Sequence, residues 1–180
     1  MRAQPATVAL ALVLLVGCSG PVISGGAGQW DADGLRFTVP SGWELRASTM
    51  SPLGDSRRLF YLATQRLRDD CTGGATAQTC LLPVDELARG GVLVWWQATN
   101  CAGPACSLPD GELTQVGGRP AVIVATAQGC GAIGQTDATT YLVSVSPQRL
   151  DAVVVCSRDA TAAAREALRS LLDAVEWRTP

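Results

Sequence analysis

The sequence predicts an α+β domain: a single, mostly antiparallel β-sheet flanked by helices, disulfide-linked, with a C-terminal amphipathic helix. Three observations carry this expectation. Apolar and polar residues alternate with a period of two in several short segments, as half-buried strands require. The segments 91–99 and 122–127 are apolar on both faces, which marks central strands covered from both sides. Near the end of the chain, Ala164, Leu168, Leu171, Leu172 and Val175 recur at helical spacing and form one apolar stripe. No internal repeat and no second domain boundary interrupts the pattern, so the chain reads as one domain behind a leader.

The leader comes first. Arg2 adds its charge to the N-terminal amine, and an apolar run over 6–16 follows, broken only by Thr7. That run is shorter than the ~20 residues a membrane-spanning helix needs, and it suits the apolar region of a secretory signal. It stops at Leu15-Val16-Gly17-Cys18. This motif resembles a bacterial lipobox, which implies cleavage before Cys18 and lipid on its thiol. Two or more acyl chains give stable anchoring where one does not. The expected divisions are a lipoprotein signal peptide over 1–17, a lipidated N-terminus and flexible tether over 18–32, and the α+β domain over 33–180. The tether expectation rests on the Gly- and Ser-rich stretch before Trp30.

Within the domain, Leu35, Phe37 and Val39 alternate with polar residues, Pro40-Ser41-Gly42 is turn chemistry, and Trp43 and Leu45 resume the alternation. Residues 58–67 form the next strand candidate. Residues 83–90 suggest a short helix, with Pro83 in its first turn and Gly90 at its end. Strands follow over 91–99, on both sides of Gly117-Gly118, and on both sides of the tight connection Pro147-Gln148-Arg149. Asp159 is the expected N-cap of the final helix.

The stretches "LRFTVPSGWEL" and "VGGRPAVIV", and a late strand leading into a C-terminal helix, resemble the PsbP/Mog1-like fold used by actinobacterial lipoproteins of the LpqN type. The resemblance implies an α/β/α sandwich with a binding or assembly role rather than a catalytic one.

All 14 basic residues are arginine, against 16 acids, for a formal charge of −2. No basic patch stands out, so nucleic acid is not an expected partner. The arginine-rich, lysine-free composition also fits a GC-rich coding bias and, with the lipobox, an actinobacterial envelope. The expected location is the extracytoplasmic face of the cell membrane.

Seven cysteines divide as one plus six. Cys71, Cys80, Cys101, Cys106, Cys130 and Cys156 form an even set in a chain read as exported, which implies disulfides. Six cysteines allow fifteen pairings. Antiparallel strand order places Cys71, Cys80, Cys130 and Cys156 toward one end of the sheet, and Cys101 and Cys106 at the other. A disulfide needs Cα atoms within about 7 Å, so Cys101–Cys106 should pair. Cys71–Cys80 and Cys130–Cys156 follow by nearness in sequence.

Catalytic chemistry finds little footing. With no histidine, the usual base of serine and cysteine hydrolases is missing; with no lysine, Ser–Lys dyads and Schiff bases are missing too. "GCGAIG", 129–134, fits G-x-G-x-x-G but returns to a strand instead of opening a helix, so it reads as a glycine-rich loop rather than a dinucleotide site. No metal site or cofactor is expected. The acidic groupings Asp69-Asp70, Asp85-Glu86 and Asp110/Glu112 leave one catalytic alternative, a carboxylate-dependent hydrolase of cell-wall glycans. Five tryptophans stand beside two phenylalanines and two tyrosines. Most should fill the core, but Trp95 and Trp96 point to opposite faces of one strand, so one can serve the core while the other lines a ligand pocket. The expected function is therefore non-catalytic: a membrane-anchored lipoprotein that binds an envelope glycolipid or a protein partner.

Overall fold

The computed structural model describes residues 22–23, 28–74, 77–101, 106–125 and 129–178, with the backbone alone at 22–23, 72–74 and 77–80. Cys18 and the leader lie outside the described residues.

Eight strands form one antiparallel sheet in the order β1-β4-β5-β8-β12-β11-β10-β9. They are β1 (Val22–Ile23), β4 (Glu44–Ala47), β5 (Ser56–Ala63), β8 (Gly91–Asn100), β9 (Glu112–Val116), β10 (Arg119–Val124), β11 (Asp137–Ser146) and β12 (Arg149–Arg158). A three-stranded sheet joins β2 (Gln29–Ala32) and β3 (Leu35–Thr38) to β13 (Glu176–Trp177), and β6 (Cys71–Gly74) and β7 (Ala77–Cys80) form a separate hairpin. One α-helix, α1 (Ala162–Asp173), lies among the described residues. The α+β expectation and the mostly antiparallel pairing are thus found, but with three sheets where one was expected and, among the described residues, one α-helix where several were expected.

The sequence pattern explains the central position of β8. Val92, Val94 and Trp96 enter one core with Phe60, Leu62, Val153, Val155 and the α1 residues Leu168, Leu171 and Leu172. Leu93 and Trp95 enter a second core with Tyr61, Leu67, Leu87, Val154, Cys156 and Ile133. A strand buried on both faces must be apolar at every position, and β8 is, from Val92 to Trp96. Along the first core, aromatic rings form a chain. Trp30 tilts against Phe60 at 4.9 Å between centroids, Phe60 meets Trp96 at 5.8 Å, and Trp96 meets Trp177 at 5.7 Å. These spacings fall in the favourable range for tilted aromatic pairs.

Three expectations are corrected. The segment 18–32, read as lipidated N-terminus and tether, contains β2, whose Trp30 is buried in the first core, so ordered structure starts before residue 33. No helix forms over 83–90. Its backbone groups are held by tertiary partners instead: the Leu87 N–H donates to the Ile133 carbonyl at 2.8 Å. The Gln65 amide brackets the segment, donating to the Glu86 carbonyl at 2.9 Å and accepting from the Ala88 N–H at 2.7 Å. Third, α1 is capped by Thr161, not Asp159. Thr161 has extended dihedrals and its hydroxyl accepts the Ala164 N–H at 3.1 Å. Asp159 adopts a left-handed conformation, φ 49°, two residues too early to cap.

Two disulfides are described, Cys101–Cys106 and Cys130–Cys156. The second ties the 3-10 turn Gly131–Ile133 onto the second core. That turn is all the helix found in the glycine-rich loop, which then runs into β11. Cys71 is disulfide-bonded and stands opposite Cys80 in the β6–β7 register. The side chain of Cys80 lies outside the described residues.

Candidate functional site: a groove beneath the helix

A groove of about 620 Å³ runs between α1 and the β9–β12 half of the large sheet. The cause is geometric. Eight strands at roughly 4.8 Å spacing make a sheet well over 30 Å wide, and a helix with its side chains is only about 10–12 Å across. Beside α1 the sheet is therefore left partly uncovered. Ile123, Tyr141 and Val155 supply apolar floor, Leu168 and Leu172 the helical wall, and Thr114, Gln115, Thr139 and Ser157 a polar margin. Asp137, Asp159, Asp173, Arg165 and Arg169 add charges of both signs. Arg169 pairs with Glu166, and Asp159 lies 3.8 Å from Arg89. The volume falls within the range of small-molecule sites.

Tyr141 is the one aromatic ring in this lining. Burial pushes its hydroxyl above the ordinary tyrosine value; Arg169 works against that shift, and Asp137 and Glu112 reinforce it. The phenol therefore stays protonated at neutral pH and keeps a proton to donate.

The acids singled out from the sequence are elsewhere. Asp69 pairs with Arg46, Asp85 with Arg68 and Glu86 with Arg158. Asp70 is buried and accepts from the Ser48 hydroxyl at 2.5 Å and from the Thr49 hydroxyl and N–H at 2.6 and 3.1 Å. Asp110 and Glu112 are exposed. None of the six lines the groove. Among the described residues, no three His, Cys, Asp or Glu side chains gather closely enough to hold a metal ion.

Trp95 and Trp96 do not line the groove either. They are 3% and 1% exposed, Trp95 in the second core and Trp96 in the first. Opposite orientation was the correct inference; the pocket was not, because both faces of β8 are covered. The Trp96 indole N–H donates at 2.7 Å to Asp151, a carboxylate with no solvent exposure that also takes both Nε and Nη2 of Arg149, at 2.7 and 2.8 Å. Arg149 Nη1 donates onward to the Asp33 carbonyl at 3.0 Å, fixing the β2–β3 turn to the large sheet.

Sequence reasoning missed Tyr141, Ile123, Arg165 and Arg169. A signal existed for the arginines: they flank the Leu168 and Leu172 stripe at i−3 positions, where a side chain borders whatever the stripe leaves open. No signal of that kind marked Ile123 or Tyr141, since sheet residues are assigned to a groove only once the helix is placed. No helix among the described residues is long and apolar enough to cross a membrane. No protein-family model matches this sequence, and no curated protein or solved structure matches it either.

Proposed function

We propose that this chain is a lipoprotein of an actinobacterial-type envelope, cut before Cys18, lipidated there, and held at the extracytoplasmic face of the cell membrane. Its domain is a binding module without catalysis, and its ligand is an amphiphilic envelope component, such as a glycolipid, seated beneath α1. The observation that carries the binding reading is the groove itself: apolar floor, hydroxyl and amide margin, and charges of both signs at the rim. An acyl chain has a place on Ile123 and Leu168, and a polar head has partners in Thr114, Gln115 and the Tyr141 hydroxyl. The absence of histidine and lysine supports a role in binding. The antiparallel sheet with a C-terminal helix on one face supports a PsbP/Mog1-like sandwich as the frame for that role.

The test has two arms. Mass spectrometry of the membrane fraction should find a mature chain starting at lipidated Cys18; an unmodified Cys18 refutes the anchor. Lipids extracted from the purified full chain should contain an amphiphile that is lost when the groove is filled by Thr139→Trp. Equal lipid content in the native and filled proteins refutes the binding reading.

A further inference from the structure

On the other face of the sheet, Arg58 is a cation without a direct counter-ion; Tyr61, which it contacts, also hydrogen-bonds Asp70. Most arginines in the described chain have a carboxylate within 4 Å, and Arg58 has none. Its guanidinium centre lies 5.2 Å from the Trp95 ring centroid and 5.4 Å from that of Tyr61. Nη1 donates to the Tyr61 hydroxyl at 2.8 Å and approaches the Met50 sulfur at 3.4 Å. Nε is buried and has no acceptor. Nη2 makes no hydrogen bond to the described residues. A guanidinium binds carboxylate or phosphate through two parallel N–H groups. With Nη1 engaged, the edge formed by Nε and Nη2 is the one left over.

A cavity of about 220 Å³ lies against this side chain, lined also by Met50, Ser51, Leu53, Ser56 and Gln97. Arg58 and Gln97 are directly paired across β5 and β8. The cavity thus brings together a fixed positive charge and the hydroxyl and amide donors of Ser51 and Gln97, with no acid among its lining residues. A buried polar atom left unpaired costs free energy. An acceptor arriving at the guanidinium from the cavity would recover part of that cost.

We propose that this cavity is a binding site for a small oxyanion, a carboxylate or phosphate, held by Arg58 and flanked by Ser51 and Gln97. Trp95 and Tyr61 fix the plane of the guanidinium, so the site is preorganised. It is separate from the groove beneath α1 and does not depend on it.

The experiment is titration of the full chain in neutral detergent with inorganic phosphate and, separately, with acetate, at constant chloride. Binding is read from the side-chain N–H resonance of Arg58 and by calorimetry. A saturable shift of that resonance with either anion is expected, and preference between the two identifies the geometry the site favours. Gln97→Glu places a competing carboxylate across the strand from Arg58 and should weaken binding at least about tenfold, the worth of one charge-assisted hydrogen bond. Arg58→Met should abolish it. No saturable shift with either anion overturns the proposal. So does undiminished binding by Gln97→Glu, a variant that stays informative even if Arg58→Met fails to fold.

Discussion

Asp151 is the most deeply buried acid among the described residues, so removing its carboxylate is a severe polar perturbation. Asp151→Ala leaves Arg149, only 23% exposed at its side chain, without its bidentate partner, and leaves the Trp96 N–H unsatisfied inside the core. Breaking a buried pair from one side costs about 3–5 kcal/mol, because an uncompensated charge stays behind. An orphaned buried donor costs about 1–3 kcal/mol. The two losses share one site and do not add in full, so about 3–5 kcal/mol is expected overall. For a chain of this size, each kcal/mol moves Tm by roughly 2–4 °C, which gives a drop of the order of 10 °C. The assay is urea unfolding of the oxidised chain, with a thermal scan alongside. Trp96→Phe alone should cost less, because Asp151 keeps Arg149. In the double variant the costs should fall short of additive by about 1 kcal/mol, since each single change breaks the same hydrogen bond. A loss under about 1 kcal/mol in Asp151→Ala would refute the reasoning: the triad would then be a solvated contact, not the fastening between β12 and the β2–β3 turn.

Other outcomes follow from the same geometry. Burial works against ionisation of Asp70, but hydrogen bonds from Ser48, Thr49 and Tyr61 outweigh it and hold the carboxyl below its ordinary value of 3.8. The stability this group lends is therefore present above that ordinary value and is lost as pH falls through the lowered one. Asp70→Asn should weaken the protein at neutral pH and flatten its acid decline in urea midpoints; parallel declines would contradict this. Opening Cys130–Cys156 by a paired Cys→Ala change should cost about 3.5 kcal/mol from chain entropy, and opening Cys101–Cys106 about 2, given separations of 26 and 5 residues; an inverted order in denaturant unfolding would count against it. Thr161→Ala should lose about 1 kcal/mol through its cap, while Asp159→Gly, which removes the carboxylate and tolerates the left-handed backbone, stays within about 0.5, and circular dichroism melts separate the two.

Strand content was legible where burial made the pattern extreme. Residues 92–96 of β8 and the run in β12 are apolar at successive positions, and only a covered strand keeps such a pattern. The helix was legible for the same reason, from Leu168, Leu171 and Leu172. The Pro83–Gly90 segment misled because its punctuation was helical while its hydrogen-bond partners, Gln65, Ile133 and Arg158, come from other parts of the chain. The cap was misplaced because Asp159 and Thr161 are both competent by chemistry, and the backbone dihedrals decide between them. The groove was illegible for a different reason. It exists only where α1 fails to cover β10 and β11, and that shortfall is a relation between elements, absent from either segment alone. Trp95 and Trp96 drew attention as large aromatic rings, yet ring size marks burial as readily as binding.

The sheet separates two interiors that are fastened differently. On the Trp95 side, a sulfur–sulfur bond bolts the 3-10 turn to β12; on the Trp96 side, α1 has no covalent tie among the described residues. Separating α1 from the sheet breaks packing and hydrogen bonds, whereas the 3-10 turn stays tethered to β12 through Cys130–Cys156. An opening beneath α1 therefore parts the helix from the sheet, while the opposite face of β12 stays bonded to its turn.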